Sequence, residues 1–123
     1  MAEAMAGHFK GVHLLVMHTA GRRSGRHYVT PLVYIEDDDR YIVVGTNAGS
    51  DHEPAWVANV AAMPAVVIEV GEQTRTAKPT ILREGPERDR LHAAMVAYSS
   101  DILEYQTWTA RRFPVIVLDP VPA

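Results

Sequence analysis

The length of its apolar runs is what most limits how this chain can fold. Over the first two thirds they come in five short stretches, each stopped by glycine, proline or charge: His13 to Thr19, His27 to Ile35, Tyr41 to Thr46, Ala65 to Val70 and Thr74 to Leu82. Runs of this length fit strands and fall short of the ~20 residues that a membrane-spanning helix needs. Gly21 ends the first run. In the second, Val29, Val33 and Ile35 hold odd positions and Tyr28, Thr30 and Tyr34 even ones, which predicts a core face on the odd side and a free face on the even side. Glu36-Asp37-Asp38-Asp39 reads as a solvated charged turn that makes a hairpin of the second and third runs. Gly71-Glu72 reads as a second hairpin turn, beyond which threonines alternate along one face.

Helix signals fall between and after these runs. Pro54 opens a short helix, with Asp51 or Glu53 as its cap, that ends near Met63-Pro64. Glu84-Gly85-Pro86-Glu87 starts another, with acidic residues near the positive end of the helix dipole. Its residues Leu91, Ala94, Met95 and Tyr98 form one stripe predicted to pack on the sheet. A further short helix is expected from Asp101 to Ala110, and Pro114 introduces a last strand, Val115 to Leu118. Strands first, a helical hairpin late and a closing strand predict a mainly β, antiparallel barrel with flanking helices, as one domain over residues 1–123.

Composition narrows the chemistry. A chain of 123 residues that is 47% hydrophobic can bury a core without a disulfide or metal staple. It has no cysteine, which removes thiol nucleophiles, thiolate zinc sites and iron-sulfur clusters and suits a reducing cytoplasm. A formal net charge of −3 argues against a general nucleic-acid binder. Met1 to Phe9 lacks the basic and apolar regions of a signal peptide. His8, His13 and His18 recur every five residues, a spacing that gathers them on neither a helix nor a strand face, so no metal site is expected.

Against this acidic background, Thr19-Ala20-Gly21-Arg22-Arg23-Ser24-Gly25-Arg26-His27 holds three arginines, two glycines and no acid. Glycines let a loop aim its N–H groups inward, and arginine forks match phosphate or carboxylate oxygens, so the segment reads either as an anion cradle or as a solvated basic turn. It lacks the Gly-Lys-Ser/Thr ending of a nucleotide-binding P-loop. Asn47-Ala48-Gly49, followed by Pro54-Ala55-Trp56-Val57-Ala58-Asn59, offers backbone donors and an indole that could wall a planar ligand or simply pack in the core. Tyr98, Tyr105 and Trp108 gather near the late helices, where phenols either pack or donate protons. No Gly-x-Ser-x-Gly elbow is present.

These segments, with Thr30-Pro31-Leu32, Tyr105-Gln106-Thr107-Trp108-Thr109 and Arg111-Arg112-Phe113-Pro114, resemble the deazaflavin-dependent nitroreductase family over nearly the whole chain. The resemblance implies a split β-barrel of the kind shared with flavin-mononucleotide-binding oxidoreductases. It also implies use of coenzyme F-420, an 8-hydroxy-5-deazaflavin with a phosphodiester and polyglutamate tail. Carried over by position, Arg22, Arg23, Ser24 and Gly25 would hold the phosphate and acidic tail, and Tyr28, Thr30, Pro31, Leu32 and Val33 would border the ring and ribityl chain. Thr46 and Asn47 would lie beside them, while Ala55, Trp56 and Asn59 would close the helix side. The chain departs from the family at Tyr28, where arginine is customary, and at Asn47, where lysine or glycine is common; Arg26 and His27 would compensate. Tyr98 and Tyr105 are kept, with one extra residue between them and the Ile102-Leu103 region in place of a middle tyrosine.

The implied reaction is hydride transfer from the reduced deazaflavin to an electron-poor small molecule, a quinone, enone or nitroaromatic compound, with Tyr105 or Tyr98 as proton donor. Peripheral contact with the inner face of the cell membrane would bring lipid quinones within reach. Flavin mononucleotide in the same arginine loop, and a non-catalytic module that carries a deazaflavin or a lipid, are the competing readings. Monomer and homodimer both suit the sequence.

Overall fold

The structure is a computed structural model that describes residues 13–122. The expectations placed on Met1 to Phe9 and on His8 lie outside the described residues. Strands β1 (Leu14–Ala20), β2 (His27–Val33), β3 (Ile35–Asp37) and β4 (Arg40–Val44) lead into a 3-10 turn (Asn47–Gly49) and helix α1 (Ala55–Ala61). Then come β5 (Val66–Val70), β6 (Gln73–Leu82), α2 (Pro86–Tyr98), α3 (Asp101–Thr107) and β7 (Val115–Pro120).

The strands form one sheet in the order β2-β1-β5-β6-β7-β4-β3, antiparallel at every pairing. β2 and β3 sit at opposite edges although only Tyr34 separates them in the chain. Successive Cα atoms are about 3.8 Å apart, so the sheet must curl until its edges meet at Tyr34. The result is the expected antiparallel barrel, split where β2 leaves β3.

The run His27 to Ile35 is therefore two strands. The Tyr34 N–H donates to the His13 carbonyl at 3.2 Å, and the chain then changes partners, from β1 to the Ile35↔Ile42 pair with β4. Its even face is free at Tyr28 and Thr30 but not beyond them: Leu32 and Tyr34 pack on the inner core, while Val33 and Ile35 pack under the helices. Both faces of the sheet are covered, and this explains the unbroken apolar runs of β4 and β7. Tyr41, Val43, Ile116 and Leu118 point inward with Leu15, Met17, Ile68 and, from α1, Val57 and Val60. The alternate residues Ile42, Val115 and Val117 meet Leu91 of α2.

Further expectations are corrected locally. Pro54 itself is the N-cap of α1, with no side-chain bond; Glu53 instead accepts from Arg83 at 2.6 Å, and Asp51 is exposed. On α2, Ala94 is exposed, and Arg88, one turn before Leu91, completes the buried stripe by donating to the Phe113 carbonyl at 2.7 and 3.2 Å. α3 stops at Thr107 because the Gln106 side-chain amide turns back to the carbonyls of Thr109 and Arg111 (3.1 and 2.7 Å). Asp37 is no solvated turn residue: half-buried, it accepts from Arg40 at 2.6 Å and from Arg90 at 3.0 Å through both oxygens. Among the described residues no helix is long and apolar enough to cross a membrane, and no cluster of His, Cys, Asp or Glu could hold a metal ion.

Candidate functional site

Two neighbouring chambers share strand β2. The first is built on the loop between β1 and β2. Gly25, at φ 72°, turns it, the Gly25 N–H donates to the Gly21 carbonyl and the Gly21 N–H to the Arg26 carbonyl, both at 2.8 Å. Ser24 Oγ accepts from the Arg26 N–H at 3.1 Å, which directs that oxygen into the loop. Arg22 is fastened to α1, its backbone N–H and Nη1 reaching Asn59 Oδ1 at 3.1 and 2.9 Å. Arg23 and Arg26 are exposed and meet no carboxylate among the described residues.

This loop, with Tyr28 and Thr30 of β2 and Ala55, Trp56 and Asn59 of α1, encloses a groove of about 400 Å³. Trp56 both packs on the inner core and lines the groove, so the two readings of its indole hold together. The second chamber, about 220 Å³, continues along β2 through Pro31, Leu32 and Val33. Its other walls are Leu14 and Val44 from the strands, Thr46 from the loop after β4, Ser99 between the two late helices, and Met95, Asp101, Ile102 and Tyr105 from those helices. It is mostly apolar, and its polar lining residues are Thr46, Ser99, Asp101 and Tyr105.

Most of the residues singled out in the sequence are thus brought to one chamber or the other. Gly25 and Arg26 belong to the cationic loop without lining the groove. Asn47 turns its amide to the His52 carbonyl at 2.9 Å. Tyr98 lies behind the second chamber, its hydroxyl accepting from the His13 N–H at 2.6 Å, and Tyr105 alone of the two phenols lines it. His27 is drawn away from the groove: its Nε2 stands 2.8 Å from His18 Nδ1, and His18 Nε2 lies 2.5 Å from Glu69.

Sequence reading missed the wall residues supplied by β1, β4 and α2, and it gave no role to Arg111, which it noted only within a segment that carries the family resemblance. That guanidinium donates to the carbonyls of Gly45, Thr46 and Ser50, partners 61 to 66 residues away for which no local pattern exists. The loop they belong to holds Ala48 at φ 51°, a left-handed conformation that costs an L residue on the order of 1 kcal/mol.

Residues 2–120 match the family model described as F420H(2)-dependent quinone reductase. A Mycobacterium tuberculosis protein (strain H37Rv) that provisionally bears that name is 35% identical over 115 residues, covering 94% of this chain and 96% of its own. Among solved structures, an F420-H2 dependent reductase is similar with a TM-score of 0.77 at 30% identity, over 86% of this chain and 93% of that one. A chain described as a domain-swapped dimer has a TM-score of 0.78 at 30% identity, over 86% and 79%.

Proposed function

From the premise that the chain belongs to the family of quinone reductases that depend on reduced coenzyme F-420, we propose that its two chambers divide the reaction, the cationic groove holding the coenzyme's anionic handle and the apolar chamber holding ring and acceptor. The observation that carries this is the continuity of β2, whose Tyr28 and Thr30 face the groove and whose Pro31, Leu32 and Val33 line the apolar chamber. The donor set suits a phosphodiester: two guanidinium groups with no carboxylate on them, beside a glycine-turned loop. Charge-assisted hydrogen bonds of this kind contribute about 1.5–3 kcal/mol each.

When bound, the reduced deazaflavin supplies the hydride. The chain's own part is to bind, orient and protonate. Arg23 grips the anion at the groove and Arg26 adds its positive charge from the same loop, Arg22 and Asn59 keep that loop on α1, and Ser24 and Gly25 shape it. Ala55, Trp56 and Tyr28 wall the groove, Thr46 lines the apolar chamber with Tyr105, and Asn47 steadies the turn behind it. Tyr105 donates the proton that a reduced quinone takes up, and Tyr98 buttresses the helices from behind. Nitroaromatic compounds and enones share the electron-poor π system of a quinone and fit the same chamber. Leu103 and Trp108, 56% and 58% exposed on and after α3, give a cytoplasmic protein an apolar contact with the inner membrane face, where lipid quinones lie.

The test is a fluorescence titration with coenzyme F-420, followed by anaerobic mixing of the reduced coenzyme with menaquinone, a nitroimidazole and an enone. Binding with acceptor-dependent oxidation is expected. Binding without oxidation would favour a carrier module, and binding of flavin mononucleotide alone would overturn the assignment of the groove.

A further inference from the structure

We propose that Arg111 is a positioning residue for the acceptor, pinning the loop 45–50 against α3 and so setting where Thr46 stands relative to Tyr105 in the lining of the apolar chamber. This rests on the reading of that chamber as the one that holds ring and acceptor. Arg111 lies outside both chambers, half-buried, and points its whole fork at backbone oxygen: Nη1 to Gly45 at 3.1 Å, Nη2 to Thr46 at 2.8 Å and to Ser50 at 3.1 Å, and Nε to Ser50 at 3.2 Å. The planar guanidinium can span three carbonyls at once, which an ammonium on a flexible stem does not. No carboxylate pairs with it among the described residues, and the guanidinium carbon lies 4.9 Å from the centre of the Phe113 ring.

The loop needs such a clamp. Asn47, Ala48 and Gly49 follow one another at φ 46°, 51° and 82°, all left-handed, which asparagine and glycine tolerate but alanine adopts only where the surroundings hold it. The loop also bears directly on α3. A Cβ on Gly49 would stand 2.7 Å from the Tyr105 carbonyl oxygen and 2.9 Å from Trp108 Cε3, so no slack separates the two backbones. Thr46 on the loop and Tyr105 on the helix both line the chamber, and a shift of one against the other changes its shape. The cationic groove takes no residue from 45–50, so Arg111 acts on the chamber where ring and acceptor meet and leaves the grip on the coenzyme's anionic handle untouched.

Arg111→Ala and Arg111→Lys, compared with the unaltered protein, test this through three readings. These are coenzyme F-420 affinity by fluorescence, kcat and KM with the reduced coenzyme and menadione, and the indole N–H resonance of Trp108, assigned with Trp108→Phe. In Arg111→Ala, affinity should stay within about twofold while kcat falls at least about tenfold, because reacting atoms are misplaced rather than unbound. Millimolar guanidinium ion should restore part of the loss, Arg111→Lys should lie between, and the Trp108 resonance should move while that of Trp56 stays. An Arg111→Ala protein with unaltered kcat and an unmoved Trp108 resonance would overturn the proposal. So would a loss of kcat matched by an equal loss of affinity that guanidinium does not relieve. Unaltered protein that binds the coenzyme without reducing menadione would count against the acceptor reading itself, and the Trp108 resonance would still decide whether Arg111 pins the loop.

Discussion

Arg22 and Arg23 adjoin in the chain, yet Arg22 is committed to the Asn59 amide oxygen at 2.9 Å while Arg23 stands exposed at the groove. Truncating them should therefore give different phenotypes. Arg23→Ala is expected to weaken coenzyme binding at least tenfold, about 1.4 kcal/mol, with an unchanged thermal midpoint; equal affinity would make the loop a mere surface turn. Asn59→Ala removes the acceptor for two Arg22 donors and should lower stability by about 1–3 kcal/mol as well as affinity, read as a shift in the denaturation midpoint. Tyr105→Phe keeps the ring of the chamber wall and loses its proton, so kcat should fall roughly tenfold to a hundredfold with coenzyme affinity intact. The cationic loop was legible because three arginines, two glycines and no acid stand side by side. The unlike duties of neighbouring arginines were not, since Asn59 lies 37 residues away.

Helix α2 is tied to the β3–β4 hairpin by an ionic cluster in which Asp37 and Glu87 share Arg40 and Arg90. Hydrogen bonds from Arg90 and then Arg40 hold the Asp37 carboxyl at about 2, below its ordinary 3.8. A carboxyl depressed on folding adds stability that is fully present above about pH 4 and is lost as the pH falls toward 2. Asp37→Asn should accordingly be less stable than the unaltered protein at neutral pH, with the two acid-denaturation curves converging below about pH 2. Parallel curves at all pH values would show that the cluster contributes nothing through Asp37. The hairpin turn itself was readable from its four acids, but their partners on α2 were not, so a bridge between elements looked like a solvated bend. The helix ends shifted for a related reason: Glu53 found Arg83 across 30 residues instead of capping the helix beside it.

The whole barrel depends on a sheet buried on both sides, with Ile116 and Leu118 inside and Val115 and Val117 under α2. Ile116→Ala, at a fully buried position, should destabilise the protein by about 2–5 kcal/mol in a single cooperative transition while leaving coenzyme affinity unchanged well below the midpoint, as chemical denaturation and fluorescence titration would show. Every strand but the division of His27 to Ile35 into two, the Gly71-Glu72 turn, the one-faced alternation of threonines in β6 and the antiparallel barrel could be read in advance, because run length, turn residues and side-chain alternation are local. Residues far apart in the chain decided the rest. Closure at Tyr34, the partition of β2 between two chambers, the retreat of Tyr98 behind the wall and the hold of Arg111 on a loop more than sixty residues upstream all arise only when the sheet curls. Local residue patterns specify which faces are apolar and where the backbone can turn, whereas which face meets which partner is set by the packing of all seven strands at once.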